Sequence, residues 1–152
     1  MKTSFEMIGT NYKLSNVQAA IGLVQMKYIQ ELLARRKEIS KRYYQLFANT
    51  DAITFPKTTV KGTHSWQSCC IFVENRDQII EKLKDGNIET QIGTYSLHMH
   101  KAFSENSRCQ IFGDMLGSRY AFEHCLTLPL YHAMTQEEQD SVAQQLLEVI
   151  DD

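Results

Sequence analysis

The spacing of apolar residues in the first third of the chain is that of a helix. Between residues 15 and 48 they recur at steps of three and four, which places them on one face of an amphipathic helix. Ser15 is a good N-cap residue, because its hydroxyl accepts a hydrogen bond from an early helix N–H. The pattern predicts a core helix from Ser15 to about Ala48, with at least one bend because long helices rarely stay straight. Its predicted buried stripe comprises Val17, Ile21, Val24, Tyr28 and Leu32.

Strand-like periodicity replaces the helical one after Pro56. Apolar residues cluster in two short segments, which predict strands over Ser65–Val73 and Ile88–Ile92. A short amphipathic helix is predicted between them, over Asn75–Asp85, with Gly86 as its C-terminal stop. We expect the two strands to pair in one small sheet.

The last third of the chain predicts two more helices and one extended segment. One helix is expected over Gly113–Cys125, and another starts after Thr135, which forms a capping box with Glu138 three residues later. In the extended segment Leu126–Leu130, Pro129 predicts a sheet edge, because proline cannot donate a ladder hydrogen bond. The whole pattern predicts an α+β fold, with a long N-terminal helix followed by a small sheet packed with helices.

Composition and charge exclude several classes of protein. The 152 residues are 43% hydrophobic and 22% charged, with a net charge of −2, which is typical of a globular domain. No long basic run is present, so neither nucleic acid nor an anionic membrane surface is an expected partner. No apolar run approaches the roughly 20 residues that span a bilayer, and the N-terminus lacks the apolar core of a signal peptide. We therefore expect a cytoplasmic protein.

The cysteines and histidines form no recognisable metal or catalytic motif. Cys69 and Cys70 are adjacent, which matches no zinc template, so the four cysteines are expected to be buried free thiols in a reducing compartment. His98 and His100 alternate on a predicted extended segment and would share one face, but a third ligand for a metal ion is not identifiable. No glycine-rich phosphate loop is present, and no residue of the chain is identified as catalytic.

Five stretches of the sequence carry a family resemblance. In this order they resemble the C-terminal part of the PLP-dependent sugar aminotransferases of the DegT/DnrJ/StrS family, and they extend over nearly the whole chain from Gly9 onward. The stretches are GTNYKLSNVQAAIGLVQM (9–26), ARRKEISKRY (34–43), HSWQS (64–68), IETQIGTYSLH (88–98) and CLTLPLYHAMTQEE (125–138).

The resemblance implies the C-terminal domain of a fold-type-I PLP aminotransferase. Residues 1–14 would be the end of a preceding domain and a cofactor-contact turn, and residues 15–152 the small C-terminal domain with its long connecting helix. Family members move an amino group from glutamate to a keto sugar carried on a nucleotide, with pyridoxal 5′-phosphate (PLP) as the electron sink. They work as homodimers with shared active sites.

The resemblance also implies that part of the enzyme lies outside this sequence. In the family, the Schiff-base lysine precedes the segment matched by Asn11–Ser15, and none of the ten lysines here occupies its position. We therefore expect the C-terminal portion of such an enzyme, whether from a truncated reading frame, a gene fragment or a split subunit. Alone it should be inactive, with PLP bound only together with a large domain or a partner chain. Two other hypotheses are a non-catalytic partner or regulatory subunit that completes another chain's active site, and a solo binding module.

Four residues carry over from the family as site residues. Asn11 matches the asparagine that reaches the PLP phosphate of the neighbouring subunit, and Lys13 lies where a basic residue adds charge near that phosphate. His98 matches a histidine near the nucleotide-sugar end of the cleft, and Tyr95 lies on the same loop. Structural alternatives are an Asx-turn for Asn11 and a hydrogen-bonded structural role for His98. Trp66 is expected in the core rather than in the site.

Overall fold

The structure, a computed structural model, describes residues 9–10 and 12–151. Five helices and three strands alternate irregularly along these residues, which confirms the predicted α+β class. In chain order they are α1 (Asn16–Leu46), β1 (Cys69–Phe72), α2 (Arg76–Asp85), β2 (Gln91–Ile92), a 3₁₀ turn (Leu97–Met99), α3 (Lys101–Ser104), α4 (Leu116–His124), β3 (Cys125–Leu128) and α5 (Gln136–Asp151).

The first helix begins where the sequence predicts. The Ser15 hydroxyl accepts a hydrogen bond from the Gln18 N–H at 3.3 Å, and the Gln18 side chain accepts one from the Ser15 N–H at 3.1 Å. This reciprocal pair satisfies two N–H groups that a helix start otherwise leaves without partners. The predicted bend in α1 and the domain division after residue 14 stay predictions.

Only the C-terminal half of α1 is packed. Ile39 and Tyr43 are fully buried, whereas Val17 is 71% and Ile21 59% exposed. The prediction of a buried stripe is therefore wrong for its N-terminal members. The physical reason is length: the 31 residues of α1 extend about 46 Å, whereas four-residue strands extend only about 13 Å.

The three strands form one antiparallel sheet in the order β1–β3–β2. Thr127 at the centre pairs with Cys70 on one side and with Gln91 on the other. The two predicted strands thus share a sheet, but the expectation that they pair directly is wrong, because β3 lies between them. The predicted edge position of Leu126–Leu130 is also wrong, because β3 is the central strand. The hydrogen-bonded pairing of β3 ends at Leu128, so the missing N–H of Pro129 does not interrupt it.

One face of this sheet packs against α1, α2 and α5 to form the core. Two buried polar groups are satisfied within it: the Tyr43 hydroxyl donates to the Pro129 carbonyl at 3.1 Å, and the Gln139 amide donates to the Ile39 carbonyl at 2.9 Å. Trp66 lies outside the buried core, stacked on His64 with ring centroids 4.2 Å apart. Representative fully buried side chains are Ile39, Tyr43, Ile71, Leu83, Leu126 and Leu146.

Candidate functional site

The loop that follows β2 carries the predicted substrate-binding residues Tyr95 and His98, and His98 belongs to a small hydrogen-bond network. Ser96 is fully buried. Its hydroxyl lies 2.7 Å from Nδ1 of His98 and 2.9 Å from the hydroxyl of Ser118 on α4. A serine hydroxyl carries a single proton, so Ser96 donates to one of these neighbours and accepts from the other. The network fixes the orientation of the His98 ring and joins the loop to α4.

The other ring nitrogen of His98 is buried without a partner. Within the part of the chain that the structure describes, no hydrogen bond satisfies Nε2 of His98. A buried polar atom without a partner is energetically costly, so such atoms commonly mark a place where a ligand or water completes the bonding. His98 is therefore the residue of this loop whose geometry most favours binding.

The predicted extended segment around His98 and His100 is instead locally helical. The Met99 N–H donates to the Ser96 carbonyl and the His100 N–H to the Leu97 carbonyl, both at 3.0 Å, which forms a 3₁₀ turn. Because this turn removes the alternation of a strand, the expectation that the two histidines share a strand face is wrong. No group of three or more metal-ligating side chains occurs among residues 9–10 and 12–151.

Tyr95 is the exposed member of the same loop. Its side chain is 64% exposed, and its ring lies 6.0 Å from the rings of both His100 and Phe122. The guanidinium of Arg76 lies 5.8 Å from the centre of the Phe122 ring. Arg76 itself is buried, and it pairs with Asp77 and donates to the Cys125 carbonyl. This aromatic and cationic cluster was not predicted, since an arginine at a helix start is normally solvated.

Among the described residues, cavities lie on two sides of the sheet. One of about 550 Å³ lies between the start of α2 and the end of α4, and it reaches Ile92 and Met99 beside the His98 loop. The other, of about 590 Å³, lies at the opposite end of the sheet, where Asn87–Gln91 meet Thr127–Tyr131. Lys13, Tyr95 and His98 line neither cavity. Tyr95 and His98 thus lie on one loop, outside both cavities.

The predicted cofactor residues lie at the start of α1. Asn11 lies outside the described residues. Lys13 is exposed, two residues before the N-cap of the helix. A lysine ammonium beside a helix N-terminus suits a phosphate, because the cation and the helix dipole both attract negative charge.

Of the two predicted cofactor residues only Lys13 lies among the described residues, and these residues do not form a complete PLP site. Every lysine that the structure describes is exposed. None of them lines either cavity flanking the sheet. A complete site would hold a lysine against the cofactor in an enclosed pocket.

The four cysteines are free, and they differ in exposure. Cys69 and Cys125 are buried, Cys70 is partly exposed and Cys109 is exposed. The expectation of four buried thiols is therefore wrong for Cys70, which is only half-buried, and for Cys109, which lies in the polar loop between α3 and α4. Burial of Cys69 raises the pKa of its thiol to about 12.

Comparison with known proteins identifies the family. The model of the DegT/DnrJ/EryC1/StrS aminotransferase family matches residues 1–147. The chain belongs to this family.

The names of two curated relatives refer to the synthesis of sugars or polysaccharides. GDP-perosamine synthase of Caulobacter vibrioides is 28% identical over 152 residues, covering 96% of this chain and 40% of the relative. The spore coat polysaccharide biosynthesis protein SpsC of Bacillus subtilis is 27% identical over 159 residues, with the same coverage of 96% and 40%. Across the first curated relatives, the chain spans between 35% and 40% of their length.

A solved structure shows the same fold. Spr1654 of Streptococcus pneumoniae, in its PLP form, superposes with a TM-score of 0.78 at 26% identity, over 91% of this chain and 36% of that one. Within the described residues, no helix has the length and apolar character needed to cross a bilayer.

Proposed function

We propose that this chain is the C-terminal portion of a PLP-dependent sugar aminotransferase, which moves an amino group from glutamate to a keto sugar carried on a nucleotide. The observation that carries the proposal is the family match over residues 1–147. The name of one relative, GDP-perosamine synthase, supports a nucleotide-linked sugar as the substrate class.

The loop after β2 would contact the nucleotide sugar. His98 offers a ring nitrogen that has no hydrogen-bond partner among the described residues, and Ser96 holds the ring in place. The exposed ring of Tyr95, three residues earlier, offers a flat apolar surface of the kind on which bases and sugars stack. Together these two side chains provide one polar and one stacking contact on the same loop.

The turn before α1 would contact the cofactor. Asn11 and Lys13 would hold the phosphate of PLP through an amide donor and an ammonium group. When bound, PLP supplies the electron sink for moving the amino group. The described lysines are all exposed, so we propose that the lysine which holds the cofactor comes from a large domain or a partner chain.

The exposed stripe of α1 supports such a partner. Val17, Ile21, Val24 and Tyr28 are each at least 50% exposed and recur at helical spacing, so they form one apolar surface. An apolar surface of this kind is typical of an interface. We propose that it packs against the large domain or the second subunit of a homodimer, in the cytoplasm, where the free thiols of the chain stay reduced.

A second candidate function follows from the same exposed lysines. A non-catalytic subunit that completes another chain's active site needs the loop of His98 and the turn of Lys13 but no cofactor-bearing lysine. Copurification with a larger PLP-containing chain would favour this function over a single fused enzyme. A folded monomer that retains neither PLP nor a partner would favour the solo binding module.

Complementation between two damaged subunits tests the proposal. The chain is joined to a lysine-bearing large domain of the family, and two variants are made: Asn11→Ala, and one lacking the Schiff-base lysine. Loss of the Asn11 amide should weaken cofactor retention by roughly ten- to a hundredfold, which corresponds to about 1.5–3 kcal/mol for a hydrogen bond to a charged group.

Mixing the two variants distinguishes the possible positions of Asn11. If Asn11 serves the partner's site, both lesions fall in one site of the heterodimer, the other site is intact, and activity returns. If each subunit is self-contained, each site keeps one lesion and mixing restores nothing. No recovery in a heterodimer verified by native mass spectrometry would contradict the shared site.

A further inference from the structure

The serine at the far end of the His98 network lies on a helix that is held against the sheet. Ser118 is the third residue of α4, which runs directly into β3. The ring of Tyr120, on the same helix, packs against Phe72 of β1 with ring centroids 5.4 Å apart. Ser96, which lies between Ser118 and His98, is fully buried. The position of Ser118 is therefore set by the helix and the sheet rather than by the loop that carries His98.

The three side chains of this network share two hydrogen bonds, which leaves one proton over. A neutral His98 carries one N–H, and Ser96 and Ser118 carry one O–H each. Because Ser96 is fully buried, its own proton must take part in one of the two bonds. The remaining proton is on Nε2 of His98 if Ser118 donates to Ser96 and Ser96 donates to Nδ1. It is on the hydroxyl of Ser118 if both bonds run in the opposite direction.

The proposed substrate favours the first of these two directions. Nε2 of His98 is buried, and no described residue forms a hydrogen bond with it. A nucleotide-linked keto sugar carries phosphate and carbonyl oxygens, which accept hydrogen bonds but do not donate them. An N–H at Nε2 is complementary to these oxygens, whereas a bare Nε2 would face them with lone pair against lone pair.

We propose that Ser96 and Ser118 are positioning residues that keep the proton of His98 on Nε2, so that this atom donates to an acceptor oxygen of the nucleotide-linked sugar. The identity of the ligand rests on the function proposed above, whereas the arrangement of the protons does not. Ser118 acts only through Ser96, since its hydroxyl lies 2.9 Å from that of Ser96 and Ser96 alone contacts Nδ1, at 2.7 Å.

The direction of the network can be measured in the chain without any ligand. Long-range ¹H–¹⁵N NMR of the labelled full chain at pH 8.5, where ordinary histidines are neutral, distinguishes the two ring tautomers. His132, which is exposed, provides the reference ratio, and the signals of His98 are those that His98→Gln removes. One ordinary hydrogen bond corresponds to about a tenfold preference, so the ratio of Nε2–H to Nδ1–H should be about tenfold larger for His98 than for His132. A ratio no larger than that of His132 would overturn the proposal.

Substitution of Ser118 separates the positioning role from a merely structural one. Ser118→Ala leaves the Ser96 oxygen free to accept from Nδ1–H, so the ratio for His98 should fall towards that of His132. Alanine is a better helix former than serine, so α4 should persist, which circular dichroism checks. Ser118→Thr keeps the hydroxyl and should restore the ratio, and Ser107→Ala, an exposed control in the loop before α4, should leave it unchanged. An unchanged ratio in Ser118→Ala would refute the role of Ser118.

Ligand titration tests the contact with the substrate separately. The same spectra are recorded with GDP and with GDP-mannose as probes. Signals of His98 that move with both indicate a contact with diphosphate oxygens, and signals that move only with GDP-mannose indicate a contact with the sugar. Either result supports the donor role of Nε2. If His98 shows the expected tautomer but neither probe moves its signals, the ligand contact is wrong and takes this part of the proposed function with it, while the role of the serine pair stands.

Discussion

At the scale of single residues, close contacts decide which positions tolerate change. Gly93 directly follows β2 and lies against Cys125, the first residue of β3, and its N–H donates to the Cys125 carbonyl at 2.8 Å. A Cβ atom at position 93 would lie 2.9 Å from Cβ of Cys125 and would also strike its sulfur. The absence of a side chain at Gly93 is therefore what lets the loop of Tyr95 and His98 leave the sheet at this point.

Gly93→Ala should destabilise the chain, whereas Gly117→Ala should not. At Gly93 the added methyl overpacks the sheet, which costs about 1–3 kcal/mol. At Gly117, in the first turn of α4, nothing lies within 4 Å of an added Cβ, so alanine should stabilise by about 0.4–1 kcal/mol through the unfolded state. Urea unfolding of both variants checks this, and an equal effect of the two substitutions would contradict the packing at Gly93.

Hydrogen bonds between residues close in the sequence could be predicted from it, whereas hydrogen bonds between distant residues could not. The caps at Ser15 and Thr135 depend on residues three positions away, and the structure confirms both. The network around His98 depends on Ser118, which lies 22 residues from Ser96. No pattern in the sequence brings those two serines together.

At the scale of elements, α1 is one helix with two environments. Its C-terminal half packs on the sheet and α5, where Ile39 is 1% exposed. Its N-terminal half presents Ile21, of the same residue type, at 59% exposure. Periodicity predicts an apolar face without showing what covers it, which explains why the predicted stripe was only partly in the core.

The two isoleucines provide a matched pair of substitutions on one helix. Ile39→Ala removes buried methyl groups and should lower the free energy of unfolding by about 2–5 kcal/mol. Ile21→Ala should change it by less than about 0.5 kcal/mol, as surface substitutions usually do. Urea denaturation at low protein concentration measures both. A large loss for Ile21→Ala would show that the N-terminal half of α1 is covered in the isolated chain.

Sequence patterns also did not predict the order of the strands in the sheet. Pro129 suggested an edge position, yet the ladder of β3 stops one residue before it. Strand position depends on which residues pair, and a proline just beyond the last pair places no restriction on that pairing. The central place of β3 also explains why Thr127 contacts residues of both other strands.

At the scale of the whole molecule, the chain carries part of a family fold. It spans between 35% and 40% of the length of its first curated relatives, and its family model matches residues 1–147. Among the described residues, Nε2 of His98 is buried without a hydrogen-bond partner and Lys13 is exposed. The family resemblance of the sequence predicted this membership, whereas composition and periodicity predicted only the fold class.

The most direct test of the central claim is a search for a PLP-bearing lysine in the chain by itself. The purified chain is mixed with PLP, reduced with borohydride and mapped by mass spectrometry, and the same mixture is assayed for glutamate-dependent amination of nucleotide-linked keto sugars. Because every described lysine is exposed, we predict only scattered labelling well below one PLP per chain, and no turnover. One stoichiometrically labelled lysine together with glutamate-dependent product would contradict the claim that a large domain or partner chain must complete the site.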